Sequence, residues 1–145
     1  MTNSVDPGKD KIHVLLVAHN PIFVFITTRV MQEHDEVTVI GSVTRQEAVQ
    51  ATSLRPDVIL LDMDVSDPSG IETISLLRGA LPQVGIVALS MLNAASYRQA
   101  ALEAGAAAFV AKSAIDTDLL PAISRAARVT RNGKPPAPSH QEKEP

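Results

Sequence analysis

The chain has 145 residues, no cysteine, and a net charge of −3 at pH 7 from 13 basic and 16 acidic side chains. This length suits one domain with its own core, and the lack of cysteine excludes disulfides, a thiolate nucleophile and cysteine-bound metals. The mild acidity argues against a protein that coats nucleic acid or a membrane surface, because both need a basic face. No apolar run reaches the roughly 20 residues of a membrane span. We therefore expect a cytoplasmic globular protein.

Both ends of the chain are predicted to be disordered tails. Residues 1–10 are polar, and residues 130–145 contain four of the ten prolines and almost nothing apolar. Such segments bury too little surface to offset the entropy of ordering. We therefore place a single domain at residues 11–129 and interpret 130–145 as a tail or a linker.

Between the tails, five short apolar runs alternate with segments of helical spacing. The runs are residues 13–17, 37–40, 57–61, 85–89 and 107–111. Continuous apolar runs of about five residues suit strands that are covered on both faces, as in a parallel sheet. The other segments predict helices at 21–33, 44–54, 70–80, 94–104 and 117–129. Five β–α units predict an α/β domain of three layers, doubly wound, with helices on both faces of the sheet.

Two local signals support the helix boundaries. Thr44 and Glu47 have the spacing of a capping box at the start of the second helix. Gly105 follows the fourth helix in the position of a C-terminal cap. These signals predict where the polar loops between the elements begin and end.

Three chemically active side chains follow the predicted strands. Ligand sites of doubly wound domains lie beyond the carboxyl ends of the strands. Asp62 follows the third strand, Ser90 ends the fourth and Lys112 ends the fifth. A carboxylate opposite an ammonium group and a small hydroxyl makes a phosphoryl site, in which the acid accepts phosphate and the others hold its oxygens.

These residues resemble the response-regulator receiver family, the CheY-like domains of two-component signalling. The resemblance is carried by DVILLD at 57–62, the glycine Gly70, IVALS at 86–90 and AGAAAFVAK at 104–112. It implies a flavodoxin-like sheet of five parallel strands in the order 2-1-3-4-5. It also implies a signalling domain that is not an enzyme and that binds a sensor histidine kinase or another signalling protein.

The resemblance implies a role for each matching residue. Asp62 corresponds to the phosphoacceptor, Ser90 to the switch hydroxyl and Lys112 to the phosphate-binding lysine. Phe109 stands where the family has its aromatic switch. The output implied for this chain is contact with another protein, without direct binding to nucleic acid or membrane.

The chain departs from the family at the metal site. The family has two adjacent acids after the first strand to hold Mg²⁺, and here Ala18 and His19 occupy those positions. Mg²⁺ prefers oxygen ligands, and the nearby carboxylates that remain are Asp62 and Asp64. We therefore expect at most weak Mg²⁺ binding, and an atypical receiver that accepts phosphate inefficiently.

Two alternatives to a phosphate-accepting receiver remain open at this point. The first is a pseudo-receiver, a binding module that works without phosphorylation. The Asp62-Met63-Asp64 sequence also resembles the motif of haloacid-dehalogenase-like phosphatases, with Asp62 as nucleophile and Asp64 as general acid and base. Its place on the third strand argues against the phosphatase.

The first predicted helix is more apolar than one buried face requires. If Phe23, Ile26 and Val30 face the core, then the outward residues are Val24, Phe25 or Thr28. A cluster of exposed apolar side chains often marks an interface. We therefore predict a weak homodimer that uses Val24, Phe25 and the last helix.

Overall fold

A computed structural model describes residues 11–63, 69–92 and 94–131. The strands are β1 (Ile12–Val17), β2 (Val37–Val43), β3 (Val58–Met63), β4 (Gly85–Ser90) and β5 (Ala108–Ala111). The helices are α1 (Pro21–Gln32), α2 (Arg45–Ala48), α3 (Ser69–Ala80), α4 (Ala95–Ala104) and α5 (Ile115–Arg131). The last helix runs past the predicted domain boundary at 129. The two predicted tails otherwise lie outside the described residues.

The strands form one parallel sheet in the order β2-β1-β3-β4-β5. The predicted fold class and strand order are therefore confirmed. Side chains of successive strand residues point to opposite faces of the sheet. One face packs against α1 and α5, and the other packs against α3 and α4. No helix within the described ranges is long and apolar enough to cross a membrane.

The second helix is shorter than predicted. Thr44 and Glu47 form the predicted capping box, in which the Thr44 backbone N–H donates to Glu47 Oε1 at 2.9 Å. The α-helix nevertheless ends at Ala48 and continues as a 3₁₀ helix from Val49 to Leu54. Arg55, with φ of 53°, then turns the chain away from the helix. Pro56 disfavours the right-handed helical conformation for the residue before it, which explains the end of the element.

The fourth helix ends at the predicted glycine. Gly105 has φ of 124°, which an L side chain rarely adopts. The guanidinium group of Arg78, at the end of α3, donates to the Gly105 carbonyl at 3.0 Å and to the Pro82 carbonyl at 2.8 Å. Burial lowers the pKa of Arg78. This arginine therefore joins the ends of α3 and α4 on one side of the sheet.

The orientation of α1 corrects one of the sequence predictions. Thr27 and Met31 are buried, and Val24 packs against the core beside them. The predictions that Val24 points outward and that Ile26 faces the core are therefore wrong. Residues 24, 27 and 31 follow the spacing of one helix face, so Phe25 and Ile26 lie on the other. The exposed fractions are 61% for Phe25 and 49% for Ile26.

A close approach of a helix to the sheet predicts a sensitive position. A Cβ atom added at Gly85 would lie 2.7 Å from Ala126 Cβ and 2.8 Å from the Ala126 carbonyl oxygen on α5. Because backbone must move to admit it, we expect Gly85→Ala to lower the free energy of unfolding by about 1–3 kcal/mol. Urea denaturation measures this loss.

A glycine in open space supplies the matched control. An added Cβ at Gly79, in α3, would meet nothing within 4 Å. Gly79→Ala should therefore raise the free energy of unfolding by about 0.5–1 kcal/mol, because alanine is the better helix former. Equal midpoints for Gly85→Ala and the unmodified protein would contradict the packing of α5 on β4.

Candidate functional site

The three predicted site residues lie at the carboxyl ends of neighbouring strands. β3 extends through Asp62 to Met63, beyond the predicted end at 61, because both residues pair with β4. Met63 lies opposite Ser90, which in turn lies opposite Ala111 on β5. Lys112 follows directly and begins a 3₁₀ turn. The parallel strands thus bring the acid, the hydroxyl and the amine to one edge of the sheet.

Asp62 and Lys112 form an ion pair at this edge, between Oδ1 and Nζ. The side chain of Asp62 is 8% exposed and that of Lys112 is 17% exposed. A charge this buried needs a partner, because removing one of the two leaves the other uncompensated. The pair therefore presents a carboxylate at the sheet edge with a cation already beside it.

Phe23 covers the ammonium group of this pair. Lys112 Nζ lies 4.2 Å from the centroid of the Phe23 ring, within the range of a cation–π interaction. The ammonium group thus contacts the Asp62 carboxylate and the aromatic ring together. The sequence prediction assigned Phe23 to the core and missed this contact, because helical spacing does not show which distant side chain a helix end will meet.

Ser90 is completely buried at the end of β4. Its Oγ accepts a hydrogen bond from the Leu92 backbone N–H at 3.0 Å. A hydroxyl is a donor as well as an acceptor, and this bond uses only its acceptor side. The side chain therefore has a proton with which to bind an anion at the sheet edge.

Phe109 is buried, with 5% of its surface exposed. Its ring meets that of Tyr97 edge to face, with centroids 6.1 Å apart and planes at 87°. Arg98 lies over the same ring, with Cζ 5.3 Å from the centroid, and donates to the Phe109 carbonyl at 3.3 Å. The aromatic side chain that the resemblance identifies as a switch thus points inward here.

Arg45 reaches the same edge from the first turn of α2. Its Nη2 donates to the Asp62 carbonyl oxygen at 3.4 Å. The same nitrogen lies 3.5 Å from where a Cβ atom of Gly70 would be. The guanidinium group therefore lies between the end of β3 and the first turn of α3. Sequence reasoning missed Arg45, because it treated that segment only as a helix start.

The positions of the family's acidic pair offer little to a metal ion. Ala18 is buried and its backbone N–H donates to the Val43 carbonyl at 3.0 Å, while His19 is exposed. Within residues 11–63, 69–92 and 94–131, no group of three acidic, histidine or cysteine side chains could hold a metal. Asp64 lies outside the described residues. Mg²⁺ prefers oxygen ligands, and of the two carboxylates predicted to hold it, Asp62 is the one described at this edge.

The fold and this edge together define a class of protein. A parallel sheet in the order 2-1-3-4-5, with an acid, a hydroxyl and a lysine at its carboxyl edge, is the architecture of a signalling receiver. The family model for the response regulator receiver domain matches residues 14–124. The chain belongs to this family. Receiver domains of two-component systems are generally non-catalytic modules that interact with kinases or other signalling proteins.

Curated relatives agree with this assignment. The chain is 30% identical over 121 residues to the transcriptional regulatory protein MctR of Rhizobium johnstonii, covering 82% of this chain and 56% of the relative. It is also 30% identical over 116 residues to the nitrate/nitrite response regulator NarL of Escherichia coli, covering 79% of this chain and 54% of the relative. The chain thus spans about half the length of these curated relatives.

Solved structures show the same fold. The signal receiver domain of NarL from Mycobacterium tuberculosis superimposes with a TM-score of 0.72 at 25% identity, covering 82% of this chain and 98% of that one. The response regulator domain of CheB from Thermotoga maritima gives a TM-score of 0.72 at 25% identity, covering 81% and 97%. The sequence-based family assignment is therefore confirmed.

Proposed function

We propose that this receiver domain accepts a phosphoryl group on Asp62 in a two-component phosphorelay. The observation that carries the proposal is the buried ion pair of Asp62 and Lys112 at the carboxyl edge of the sheet. A carboxylate held next to a fixed cation is a nucleophile whose product, an acyl phosphate, finds a counter-charge already in place. Ser90 is the hydroxyl that holds a phosphoryl oxygen.

The proposed reaction is a transfer between oxygens. An Asp62 carboxylate oxygen attacks phosphorus, and the bond from phosphorus to the donor breaks. With acetyl phosphate as donor, acetate leaves and Asp62 becomes an acyl phosphate, so that no proton needs to move. Lys112 then contacts the phosphoryl oxygens in place of the ionised carboxylate.

We propose that the domain is atypical in its response to Mg²⁺. Ala18 has no donor atom in its side chain, and the exposed imidazole of His19 is a poor ligand for a hard cation. Asp62 and Asp64 are the carboxylates left to bind the ion, and weak binding is expected of them. Because a metal ion neutralises a transferring phosphoryl group, phosphotransfer to Asp62 is expected to be slow.

A second candidate function has one observation in its favour. Lys112 already neutralises Asp62 and is covered by Phe23, so the site has a stable resting state without phosphate. This favours a pseudo-receiver that a protein partner switches without phosphorylation. The phosphatase alternative loses support, because residues 14–124 match the receiver family.

The proposed output in the cytoplasm is contact with another protein. A sensor histidine kinase or another signalling protein would deliver the signal at the edge that holds Asp62. A change in the packing of Phe109 against Tyr97 would pass it to the face formed by α4 and β5. No direct contact with nucleic acid or membrane is proposed for this chain.

The site of phosphorylation tests the proposal. The unmodified protein is incubated with acetyl phosphate, and intact mass and peptide mapping locate the added phosphoryl group. We expect one group, on Asp62, and none in Asp62→Asn, which keeps the shape of the side chain and loses the nucleophile. A protein that stays unlabelled, or a label that persists in Asp62→Asn, would contradict phosphoacceptance by Asp62.

The proposed homodimer rests on the exposed face of α1. Phe25 and Ile26 are exposed there, with Ile22 at 68%. Burying such side chains contributes about 1.5–3 kcal/mol each, much of which is offset by the lost freedom of two separate molecules. We expect a micromolar dimer that Phe25→Glu converts to a monomer in sedimentation experiments, with an unchanged circular dichroism spectrum.

A charge placed elsewhere on the surface is the control for the dimer. Leu76, on α3, is 66% exposed, so Leu76→Glu makes the same change in charge on another helix. It should leave the dimer intact. Equal self-association of Phe25→Glu and the unmodified protein would remove α1 from the interface.

A further inference from the structure

The geometry points to Arg45 as a second phosphoryl-binding cation at the sheet edge. It would supply, from the protein itself, positive charge that the family draws from a metal ion. This inference rests on the proposed function, since it concerns the phosphoryl group on Asp62. It goes beyond the family pattern because the resemblance assigns no role to the start of α2.

The position of Arg45 is fixed by its own helix. Arg45 is the first residue of α2, and the capping box between Thr44 and Glu47 sets where that helix begins. From there, its guanidinium group reaches the Asp62 carbonyl oxygen. This hydrogen bond brings the guanidinium group to the residue that carries the proposed phosphoryl group.

Arg45 and Lys112 approach Asp62 from opposite sides of the sheet. Arg45 follows β2, at one edge of the strand order, and Lys112 follows β5, at the other. Asp62 lies on β3 in the middle. The two cations therefore come from elements on opposite sides of β3 in the strand order.

Gly70 leaves the space that the guanidinium group uses. A Cβ atom at this position would lie 3.2 Å from Met63 Cε and 3.5 Å from Arg45 Nη2. A side chain longer than a methyl group would compete with the guanidinium group for this space. Gly70 thus leaves room beside the guanidinium group of Arg45.

The charges of the reaction call for a second cation. Acetyl phosphate and ionised Asp62 together become acetate and an acyl phosphate dianion at Asp62. Lys112 balances one of the two charges on this dianion, and Arg45 is a second cation described at the same edge. The planar guanidinium fork suits two phosphoryl oxygens, and the bond of 3.4 Å to the Asp62 carbonyl oxygen is one of its contacts at this edge.

The first experiment measures the rate of labelling by acetyl phosphate with a metal chelator present. We expect Arg45→Ala to be labelled about 10-fold more slowly than the unmodified protein. This effect is smaller than the ~10²–10³-fold loss that follows removal of an enclosed oxyanion donor. Arg45→Lys, which keeps the charge and loses the fork, should be intermediate. Arg29→Ala removes an exposed charge from α1 and should label at the unmodified rate.

The second experiment separates charge from structure. Arg45→Ala is placed in the Ala18→Asp/His19→Asp background with Mg²⁺ present. The factor by which it slows labelling there is compared with the factor in the unmodified background. A smaller cost there is expected, since the restored acids bring another source of positive charge. An equal cost in both backgrounds would mean that Arg45 only supports the structure, which would overturn the inference.

The outcomes distinguish this inference from the proposed function. If Asp62 is labelled in the unmodified protein and Arg45→Ala labels equally fast, the inference fails and the phosphoacceptor proposal remains. If Asp62 is not labelled at all, both fail. Urea unfolding of each variant identifies any rate that falls because the fold is lost, and Arg45→Lys then gives the decisive comparison.

Discussion

The Ala18→Asp/His19→Asp variant is expected to bind Mg²⁺ at least about 10–100-fold more tightly than the unmodified protein, since even residues that only support metal ligands have effects of this size. Val17 pairs with Leu61 across β1 and β3, so position 18 continues the strand beside Asp62. Two added carboxylates would there join Asp62 and give a hard cation the oxygen ligands it prefers. Isothermal titration calorimetry with Mg²⁺ measures the gain.

Neutral substitutions supply the control for this variant. Ala18→Asn/His19→Asn adds oxygen atoms of similar placement without charge, and its gain in Mg²⁺ affinity should be much smaller. The acidic variant should also be less stable without metal, because like charges in one site repel, and Mg²⁺ should restore its stability. Tight Mg²⁺ binding by the unmodified protein, equal to that of the acidic variant, would contradict this account of the edge.

Lys112→Met is expected to reduce the rate of phosphoryl transfer to Asp62 by about 10²–10³-fold, the usual effect of removing one donor that faces a developing anion. Methionine keeps much of the length of the side chain and its contact with Phe23, and it loses the charge. The Asp62 carboxylate, which is 8% exposed, would then lose its cationic partner. Labelling by acetyl phosphate, followed by intact mass over time, measures the rate.

A charge-conserving variant shows whether the effect comes from charge. Lys112→Arg keeps a cation beside Asp62 and should retain more of the rate than Lys112→Met. The unfolding midpoint of each variant in urea shows whether its fold is intact. An unchanged labelling rate in a folded Lys112→Met protein would exclude Lys112 from the phosphoryl site.

The fold was predictable from the sequence because burial patterns are local. Strands covered on both faces have short apolar runs with little alternation, and all five predicted runs became strands. The boundaries moved where tertiary contacts decide them. β2 extends from 40 to Val43 because those residues pair with β1, around a register shift after Val14. Pairing with a partner strand is not visible in the apolar pattern of one segment.

The site was predictable only in part. Asp62, Ser90 and Lys112 lie together because the ends of parallel strands share an edge, and the order of strands brings them close. Phe23 and Arg45 reach the same edge from the first turns of two helices, α1 and α2. Which way their side chains point depends on the phase of each helix against the sheet, and an error of one position in α1 assigned Val24 to the surface.

The most direct test of the central claim compares the labelling rate of the unmodified protein in a metal chelator with its rate in Mg²⁺. The account predicts slow labelling of Asp62 at nearly the same rate in both conditions, because Ala18 and His19 do not hold the ion and the charge at the edge comes from Lys112 and Arg45. A rate that rises steeply with Mg²⁺ and saturates as it does in the Ala18→Asp/His19→Asp variant would contradict it.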